Sequence, residues 1–247
     1  MLLPLFATAA EEPPLPTVPG GAPAFGTDPA ETLRWALERT PTGEAVMTTS
    51  FGMEGCVLMH MLHHAGLAKK VRVVTIDTGF HFAETHGLAE RCRAAFPGFT
   101  WERAATDLTP AKQAAMYGER LWETKPDLCC ALRKVEPLRR ALEGASLWIT
   151  ALKRGASAAR QNLEPVMVDP GHRLLKVAPL AHLTRGDVWE YVRDHDVPYN
   201  PLHEQGYPSI GCTHCTKPVA GATPTDDTRA GRWSGKEKTE CGLHYNI

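Results

Sequence analysis

The chain has 247 residues, 43% of them apolar and 22% charged, with a formal net charge of −1. That composition suits an ordinary globular protein, long enough for one large domain with a substantial core. It gives no overall electrostatic case for nucleic acid or a membrane surface, and no apolar run is long enough to span a bilayer.

Residues 1–27 are rich in Pro, Gly and Ala without periodicity and read as a disordered, mobile lead-in. The opening MLLPLFATAA lacks the positive residue that a signal peptide places ahead of its apolar stretch. Asp28, followed by a proline, predicts the N-cap of a helix through PAETLRWALERT. From there the pattern alternates. EAVMTTS, VRVVTID, FTWERA and SLWITA are short, apolar and rich in β-branched or aromatic residues, and read as strands. EGCVLMHMLHHAG predicts a helix with Val57, Leu58, Met61 and Leu62 on one face and His60, His63 and His64 on the wet side. FAETHGLAERCRAAF is a further helix, CCALRKVEPLRRALEG is largely helical, and TRGDVWEYVRDHD starts on a threonine cap. Strands alternating with helices predict an α/β fold, a doubly wound, mainly parallel sheet, over about residues 28–205. After about Val197 the composition shifts to Pro, Gly, Cys, Thr and charge, so that residues 206–247 read as a flexible tail that something else must order.

In open sheets of this kind ligands bind beyond the carboxyl ends of the strands. Two strand ends feed glycine-containing loops, TTSFGMEG and TIDTGFHFAET. In the first, Ser50, Gly52 and Gly55 could cradle an anion with backbone N–H groups at a helix N-terminus. Either loop alone suits a plain tight turn equally well. The DTG triplet invites an aspartic-protease reading, but the α/β pattern and the lack of a second such motif argue against it.

Seven cysteines sit at positions 56, 92, 129, 130, 212, 215 and 241. An odd count with two tight pairs suits reduced, metal-binding or catalytic thiols better than a secreted disulfide framework, and points to the cytoplasm. Cys129 and Cys130 are adjacent, and Cys212 and Cys215 form C-x-x-C. Four thiolates suit zinc or an iron–sulfur cluster. Adjacent helical cysteines point roughly 100° apart, which favours separate corners of a cubane over one small ion. Taken singly, the vicinal pair also suits buried thiols, and C-x-x-C a redox dithiol or a structural knuckle. Cys56 and Cys92 read as packing residues. Cys241 stands in ECGLH, followed by His244 and preceded by Arg232, Lys236 and Lys238. A cationic neighbourhood raises the thiolate fraction, although a free surface cysteine is the alternative. Lys134 lies one helical turn after Cys130, Arg154 and Arg160 flank GAS, and Arg229 and Arg232 form RAGR. Arginine pairs suit sulfate and phosphate oxygens through bidentate hydrogen bonds, and a solvated face is the other reading of each.

The stretches SFGMEG, IDTGFHFAET, CCALRKVEPL, GASAAR, KVAPLAHLTRGDVWEYV, VPYNPLHEQGYPSIGCTHCTKPV, RAGRW and TECGLH cover most of the chain from about Val46 to His244. In that order they resemble the assimilatory adenylylsulfate (APS) and phosphoadenylylsulfate (PAPS) reductase family, and the paired cysteines resemble its cluster-bearing, APS-preferring branch. The resemblance implies an adenine nucleotide alpha hydrolase-like, ATP-pyrophosphatase-like fold, with a nucleotide-binding domain over 28–205 and a cluster-binding, catalytic segment over 206–247. It implies a thioredoxin-dependent adenylylsulfate reductase in which the Cys241 thiolate attacks the sulfate sulfur, AMP leaves and a thiosulfonate forms. Thioredoxin, or glutaredoxin, then releases sulfite. One [4Fe–4S] cluster per chain would be held by Cys129, Cys130, Cys212 and Cys215. Lys134 would orient and polarise the sulfate, and Arg154, Arg229 and Arg232 would clamp the phosphosulfate. Ser50, Phe51 and Gly52 would approach the phosphate side, and Asp77, Thr78 and Gly79 would border the nucleoside. Arg160 and His244 complete the substrate-binding set. The tail would close to bring Cys241 in and open for the reductant.

Three positions depart from the family pattern. Ala156 stands where a glutamine is common, His214 where a proline is common, and Ser234 where an aromatic residue is common. PAPS as the substrate, or both nucleotides, is the nearest alternative, and the oligomeric state stays open, a homo-oligomer included. More distant are an ATP-pyrophosphatase-type enzyme, which would want an SGGxDS-like loop, and a zinc or cluster sensor, which leaves Cys241 unexplained.

Overall fold

The computed structural model describes residues 15–18, 28–226, 229–238 and 240–244. The mobile lead-in expected over 1–27 therefore lies outside the described residues except at 15–18, where Val18 packs against the core. Among the described residues no helix is long and apolar enough to cross a membrane.

The first helix, α1 (Pro29–Glu38), starts where Asp28 accepts a hydrogen bond from the Ala30 N–H, with Pro29 inside the first turn. Four parallel strands follow, β1 (Ala45–Thr49), β2 (Val71–Asp77), β3 (Thr100–Ala105) and β4 (Leu147–Ile149). An antiparallel hairpin, β5 (Val166–Asp169) and β6 (Leu174–Val177), joins them, giving the order β3-β2-β1-β4-β6-β5. The strands alternate cleanly between two faces, as a period of two requires. Ala45, Met47, Val73, Leu147 and Ile149 face one core, with α2 (Met53–His64), α3 (Ala83–Ala95), α8 (Arg185–Asp194) and α1 over it. Val46, Val74, Ile76 and Trp148 face the other, against Leu138 of α7 (Glu136–Ala141) and Leu142 beyond it. Helices therefore cover both faces, which is the doubly wound arrangement.

Two expectations need correction. α2 is buried around most of its circumference, at Met53, Gly55, Cys56, Val57, Leu58, Met59, His60 and Leu62, whereas Met61 is only half-buried. His60 is not on a wet side. Its Nδ1 lies 2.9 Å from the Tyr191 hydroxyl, and its ring packs at 4.1 Å from His64 and 5.3 Å from His195. The physical reason is that α8 packs over α2 and covers the face that the polar pattern assigns to water. Cys56 and Cys92 are buried, with their sulfurs 3.8 Å apart.

The long helix expected over 129–144 is interrupted. α4 (Pro110–Tyr117), α5 (Leu121–Thr124) and α6 (Pro126–Cys130) lead to a π-helical turn over Ala131–Val135, and α7 follows. Pro137 supplies the cause: it has no N–H to give to the carbonyl four residues earlier, and its ring crowds that carbonyl. The widened turn buries both Arg133 and Lys134. The described part of the C-terminal segment is packed rather than loose. Thr216 pairs with Arg232 as an isolated antiparallel bridge, Trp233 is buried, and Leu243 lies against the Trp148 core.

Trp148 sits at the centre of this sheet, fully buried, with its Nε1–H donating to Thr48 Oγ1 at 2.8 Å. Trp148→Ala is expected to lower unfolding free energy by about 3–5 kcal/mol, the usual cost of emptying an aromatic core position. Guanidinium unfolding followed by far-UV circular dichroism measures it, and a loss under about 1 kcal/mol would mean that the core on this face does not depend on the residue.

Candidate active site

A cavity of about 210 Å³ opens at the carboxyl ends of β1, β2 and β4. β1 lies between β2 and β4, so this is where the chain reverses its winding direction, the place where such sheets bind ligands. Thr48, Thr49, Ser50 and Gly52 line it from β1, Ile76 and Thr78 from β2, and Thr150, Ala151 and Leu152 from beyond β4.

The β1 loop is built around Thr49. Its hydroxyl accepts from the Phe51 N–H at 2.9 Å, and a Cβ on Gly55 would lie 2.7 Å from the same oxygen. Gly55 is therefore required by close approach. Phe51 holds a left-handed backbone at φ 57°, an uncommon conformation for a bulky residue, and its ring is buried and stacked on Trp101 at 6.5 Å. Gly52 caps α2 with no side-chain hydrogen bond, and the first turn of this twelve-residue helix borders the cavity through Gly52, Glu54 and Gly55.

The β2 loop is fixed differently. Asp77 accepts from the Gly79 N–H at 2.8 Å and from Arg103 Nε at 2.7 Å. Burial works to raise its carboxyl, but these partners hold it below the ordinary value. Thr78 Oγ1 accepts from Phe80 N at 3.2 Å and from Cys212 Sγ at 3.4 Å. Arg133 donates to the Thr78 carbonyl at 2.7 Å, to the Leu108 carbonyl at 3.1 Å and to Gln113 at 2.6 Å. Of the DTG residues only Thr78 lines the cavity. Asp77 and Gly79 shape the loop, as Phe51 shapes the first one.

Four cations meet at the cavity: Lys134 from the π-helical turn, Arg160 from the segment after β4, and Arg229 and Arg232 from the C-terminal segment. Arg160 and Arg232 are buried, and the Nε of each has no hydrogen-bond partner. Burial, with Arg232 beside it, brings Arg229 down to about 10. Arg154 is elsewhere. It donates to the Leu163 carbonyl at 2.6 Å and pairs with Glu164 at 3.3 Å, away from the cavity lining. Its neighbour Lys153 is buried and lies 3.9 Å from Glu54, which Arg185 also pairs at 2.6 Å.

Cys241 is half-buried at the cavity wall, with Leu243 and His244 lining it on the far side. Burial alone would raise its thiol. Lys134, the Leu243 backbone N–H, Arg232 and Arg229 outweigh burial and hold it below the ordinary thiol value. His244 stacks on Trp148 at 5.0 Å, and burial beside Lys176 and Arg160 keeps its ring neutral, well below the usual imidazole range.

The remaining sequence candidates converge next door. Cys129 and Cys130 end α6, and Cys212 and Cys215 flank a 3₁₀ turn. All four line one small void with Phe80, Trp122, His214, Arg133 and Lys134. Trp122 and His214 stack at 3.9 Å with an 8° interplanar angle. Burial pushes the Cys129 and Cys130 thiols up to about 11 and raises Cys215 as well. Cys212 belongs to both spaces, since it also lines the large cavity. Three contributors escaped the sequence reading. His81 lines the cavity, and burial brings it down to about 4. Arg133 braces the DTG loop, and Glu240 meets Arg160 and Arg229. A neutral-looking histidine and a carboxylate among lysines carry no pattern of their own.

The charge arrangement around Cys241 predicts a pH profile. A folded-state pKa lowered by cations means that the thiolate forms below pH 9, the ordinary value here, and that removing a cation moves the transition upward. Alkylation of Cys241 by iodoacetamide, followed against pH by peptide mapping, should show a midpoint below 9 in the wild type and a higher one in Lys134→Gln. Equal midpoints would remove Lys134 from the electrostatics of this thiol.

Comparison with known proteins gives a family. Residues 44–218 match the model of the phosphoadenosine phosphosulfate reductase domain. The adenosine 5'-phosphosulfate reductase 2 of Bacillus subtilis (strain 168) is 44% identical over 217 residues, spanning 88% of this chain and 89% of that protein. The adenosine 5'-phosphosulfate reductase of Lysinibacillus sphaericus (strain C3-41) is 45% identical over 214 residues, 87% of this chain and 89% of that one. Among solved structures, the phosphoadenylyl-sulfate reductase of Candida auris in its phosphate complex superposes with a TM-score of 0.67 at 32% identity, over 78% of this chain and 90% of that chain. The FMN adenylyltransferase of Candida glabrata, at a TM-score of 0.55 and 15% identity over 78% of this chain and 64% of its own, shares the adenine nucleotide alpha hydrolase-like fold alone. On the extent of the family match and on these identities, the chain belongs to the phosphoadenosine phosphosulfate reductase domain family.

Proposed function

We propose that the chain is an adenylylsulfate reductase of assimilatory sulfate reduction, with Cys241 as its nucleophile. The observation that carries this reading is the Cys241 thiol held low by Lys134, Arg232 and Arg229 at the wall of a cavity floored by the β1 loop. The names of the Bacillus and Lysinibacillus relatives point to the same substrate. Residues 28–205 would supply the nucleotide-binding part, and 206–247 the cluster-binding and catalytic segment.

In the first step the Cys241 thiolate attacks the sulfate sulfur of APS. A sulfur–sulfur bond forms, the bond from sulfur to the bridging oxygen breaks, and AMP leaves with that electron pair. Lys134, Arg160, Arg229 and Arg232 would hold the phosphosulfate oxygens and stabilise the charge that gathers on the departing phosphate. The unpartnered Nε–H groups of Arg160 and Arg232 are donors waiting for an acceptor, as a buried polar atom without a partner implies. Ser50, Gly52 and the α2 N-terminus would meet the phosphate, and Thr78 would border the nucleoside. In the second step a dithiol such as thioredoxin or glutaredoxin attacks the Cys241 sulfur and sulfite leaves. The dithiol becomes a disulfide, which supplies the two electrons. The seven free thiols fit a reducing compartment, and we place the protein in the cytoplasm.

The donor set fits a [4Fe–4S] cluster. Among the described residues no three His, Cys, Asp or Glu side chains converge as ligands of one ion. Four thiols instead surround a void, two from each segment, with Arg133 and Lys134 at hand to balance thiolate charge. Cys129, Cys130, Cys212 and Cys215 would hold the cluster, and what it supplies when bound is fixed charge beside Lys134. Cys129→Ser should lose iron and with it activity. Full activity in an iron-free Cys129→Ser protein would sink the role assigned to the cluster.

Anaerobic intact-mass spectrometry of the protein mixed with APS, and separately with PAPS, tests the chemistry directly. The expected outcome is a gain of one sulfonate on the wild type, absent in Cys241→Ser and removed by thioredoxin, with the two nucleotides ranked by extent. No adduct from either nucleotide on iron-loaded protein would reject Cys241 as the nucleophile.

A further inference from the structure

Glu240 immediately precedes Cys241 and carries a carboxylate into the cation cluster. Its Oε2 accepts from Arg160 Nη2 at 2.8 Å and lies 3.4 Å from Arg229 Nη2. Its Oε1 accepts from Ser157 Oγ at 2.9 Å. Burial works to raise this carboxyl, but Arg160 and Arg229, with the hydrogen bonds from Arg160 and Ser157, hold it low and ionised. Ser157 and Arg160 belong to the segment between β4 and β5, so the contact joins the C-terminal segment to the sheet domain. On the other side of Cys241, Leu243 packs against the Trp148 core and His244 stacks on Trp148. Cys241 therefore hangs between an apolar anchor and an ionic one. The ionic anchor also takes one edge of the Arg160 guanidinium while its Nε stays unpartnered.

We infer that Glu240 is a positioning residue: seated on Ser157 and Arg160, its carboxylate docks the C-terminal segment and holds the Cys241 sulfur at the cavity. Attack then waits on that ion pair, and Arg160 is oriented by the same contact. This rests on the reading of Cys241 as nucleophile. A competing role is physically distinct. If Glu240 merely filled the anion seat in place of substrate, removing it would tighten APS binding and speed attack. A docking carboxylate gives the opposite sign on the rate, because a nucleophile displaced by about 1 Å loses on the order of 100-fold.

The test uses the iron-loaded full chain. Single-turnover sulfonate formation with APS is followed by intact mass for the wild type, Glu240→Ala, Glu240→Asp and Ser157→Ala. APS affinity is measured for the same changes in a Cys241→Ser background. Hydrogen–deuterium exchange of the C-terminal peptide is recorded without nucleotide. Glu240→Ala is expected to slow adduct formation by roughly 10- to 100-fold. It should change APS affinity far less than it slows attack, because Lys134 and Arg232 do not contact Glu240, and it should speed exchange around residues 240–244. Glu240→Asp should recover part of the rate, and Ser157→Ala should show a smaller loss of the same kind. A residue that only supports the fold would lower melting temperature without splitting rate from affinity. Unchanged rate and unchanged exchange in Glu240→Ala overturn the inference, and so does tighter APS binding with faster attack. Should Glu240→Ala fail to fold, Ser157→Ala decides by the same readouts. If the wild type itself forms no adduct, the nucleophile reading falls, while the exchange data still decide the docking.

Discussion

Crowding of positive charge at the carboxyl ends of β1, β2 and β4 is the constraint that the rest of the site answers. Lys134, Arg160, Arg229 and Arg232 line one cavity, the first, second and last of them buried. Like charges in a low dielectric oppose one another and oppose their own ionisation. Arg229 shows this directly, drawn down to about 10 by burial and by Arg232. Lys134 shows the converse. Burial works to lower it, yet the facing thiols of Cys212 and Cys241 carry it above the ordinary lysine value. The cations persist only because anions stand among them. Glu240 is one, the Cys241 thiolate is another, Glu54 at the start of α2 lines the same cavity, and the thiols of the adjacent void stand beside Lys134. An oxyanion substrate would complete that balance, as fixed cations in a low-dielectric cavity favour an anion.

Two unlike devices bring the cations together. Lys134 and Arg133 are placed by the π-helical turn that Pro137 forces between α6 and α7, which sets a buried lysine directly behind the cysteine pair. Arg232 is placed by close approach of backbone. A Cβ on Gly211 would lie 2.3 Å from its guanidinium, and a Cβ on Gly231 would lie 2.2 Å from the Lys217 carbonyl. At Gly231 the obstacle is backbone, so nothing larger than hydrogen fits there and the C-terminal segment can lie flat against residues 211–217, whereas at Gly211 the neighbour is the movable end of the Arg232 side chain. Order in this segment comes from contact with the sheet domain, not from any periodic apolar face of its own.

That distinction explains what the sequence could and could not reveal. β1, β2 and β4, with α2 and α3, follow from periodicity and β-branched runs, because parallel strands buried on both faces are continuous apolar stretches, whereas α4 and α5, short and mostly exposed, carry no such pattern. The β5–β6 hairpin is short, with strands of four residues, and its pattern does not rise above the surrounding loops. The interruption at Ala131–Val135 depends on how one proline resolves inside a helix, which composition does not fix. At the site, the thiols were legible as pairs, but of the basic residues that flank Cys241 in sequence only Arg232 acts on it, while Lys236 turns to the Trp122 and Glu123 carbonyls and Lys238 to Asp127. Direction was not legible. Arg154 and Arg160 are equivalent in a string of letters, yet one turns to Glu164 and the other to Glu240. Phe51 reads as a loop residue, and the structure spends its ring on the core beside Trp101.

The thiol void and the cavity are mechanically one unit, and the DTG loop is the joint. Cys212 faces both spaces and donates to the Thr78 hydroxyl. Arg133 donates to the Thr78 carbonyl and lies over the Phe80 ring at 4.3 Å. Phe80 in turn packs edge-on to His214 at 4.9 Å, and His214 stacks on Trp122. His214, a departure from the family pattern, is exposed on one side, and its ring packs on Trp122 and Phe80, two residues that line the void of the four thiols. A change at these thiols reaches Thr78 and Lys134 through one or two contacts, each buried and each with a defined partner. Coupling of this kind needs no long pathway, because the groups that would hold the cluster and those that would hold the sulfate stand on opposite sides of the same two residues.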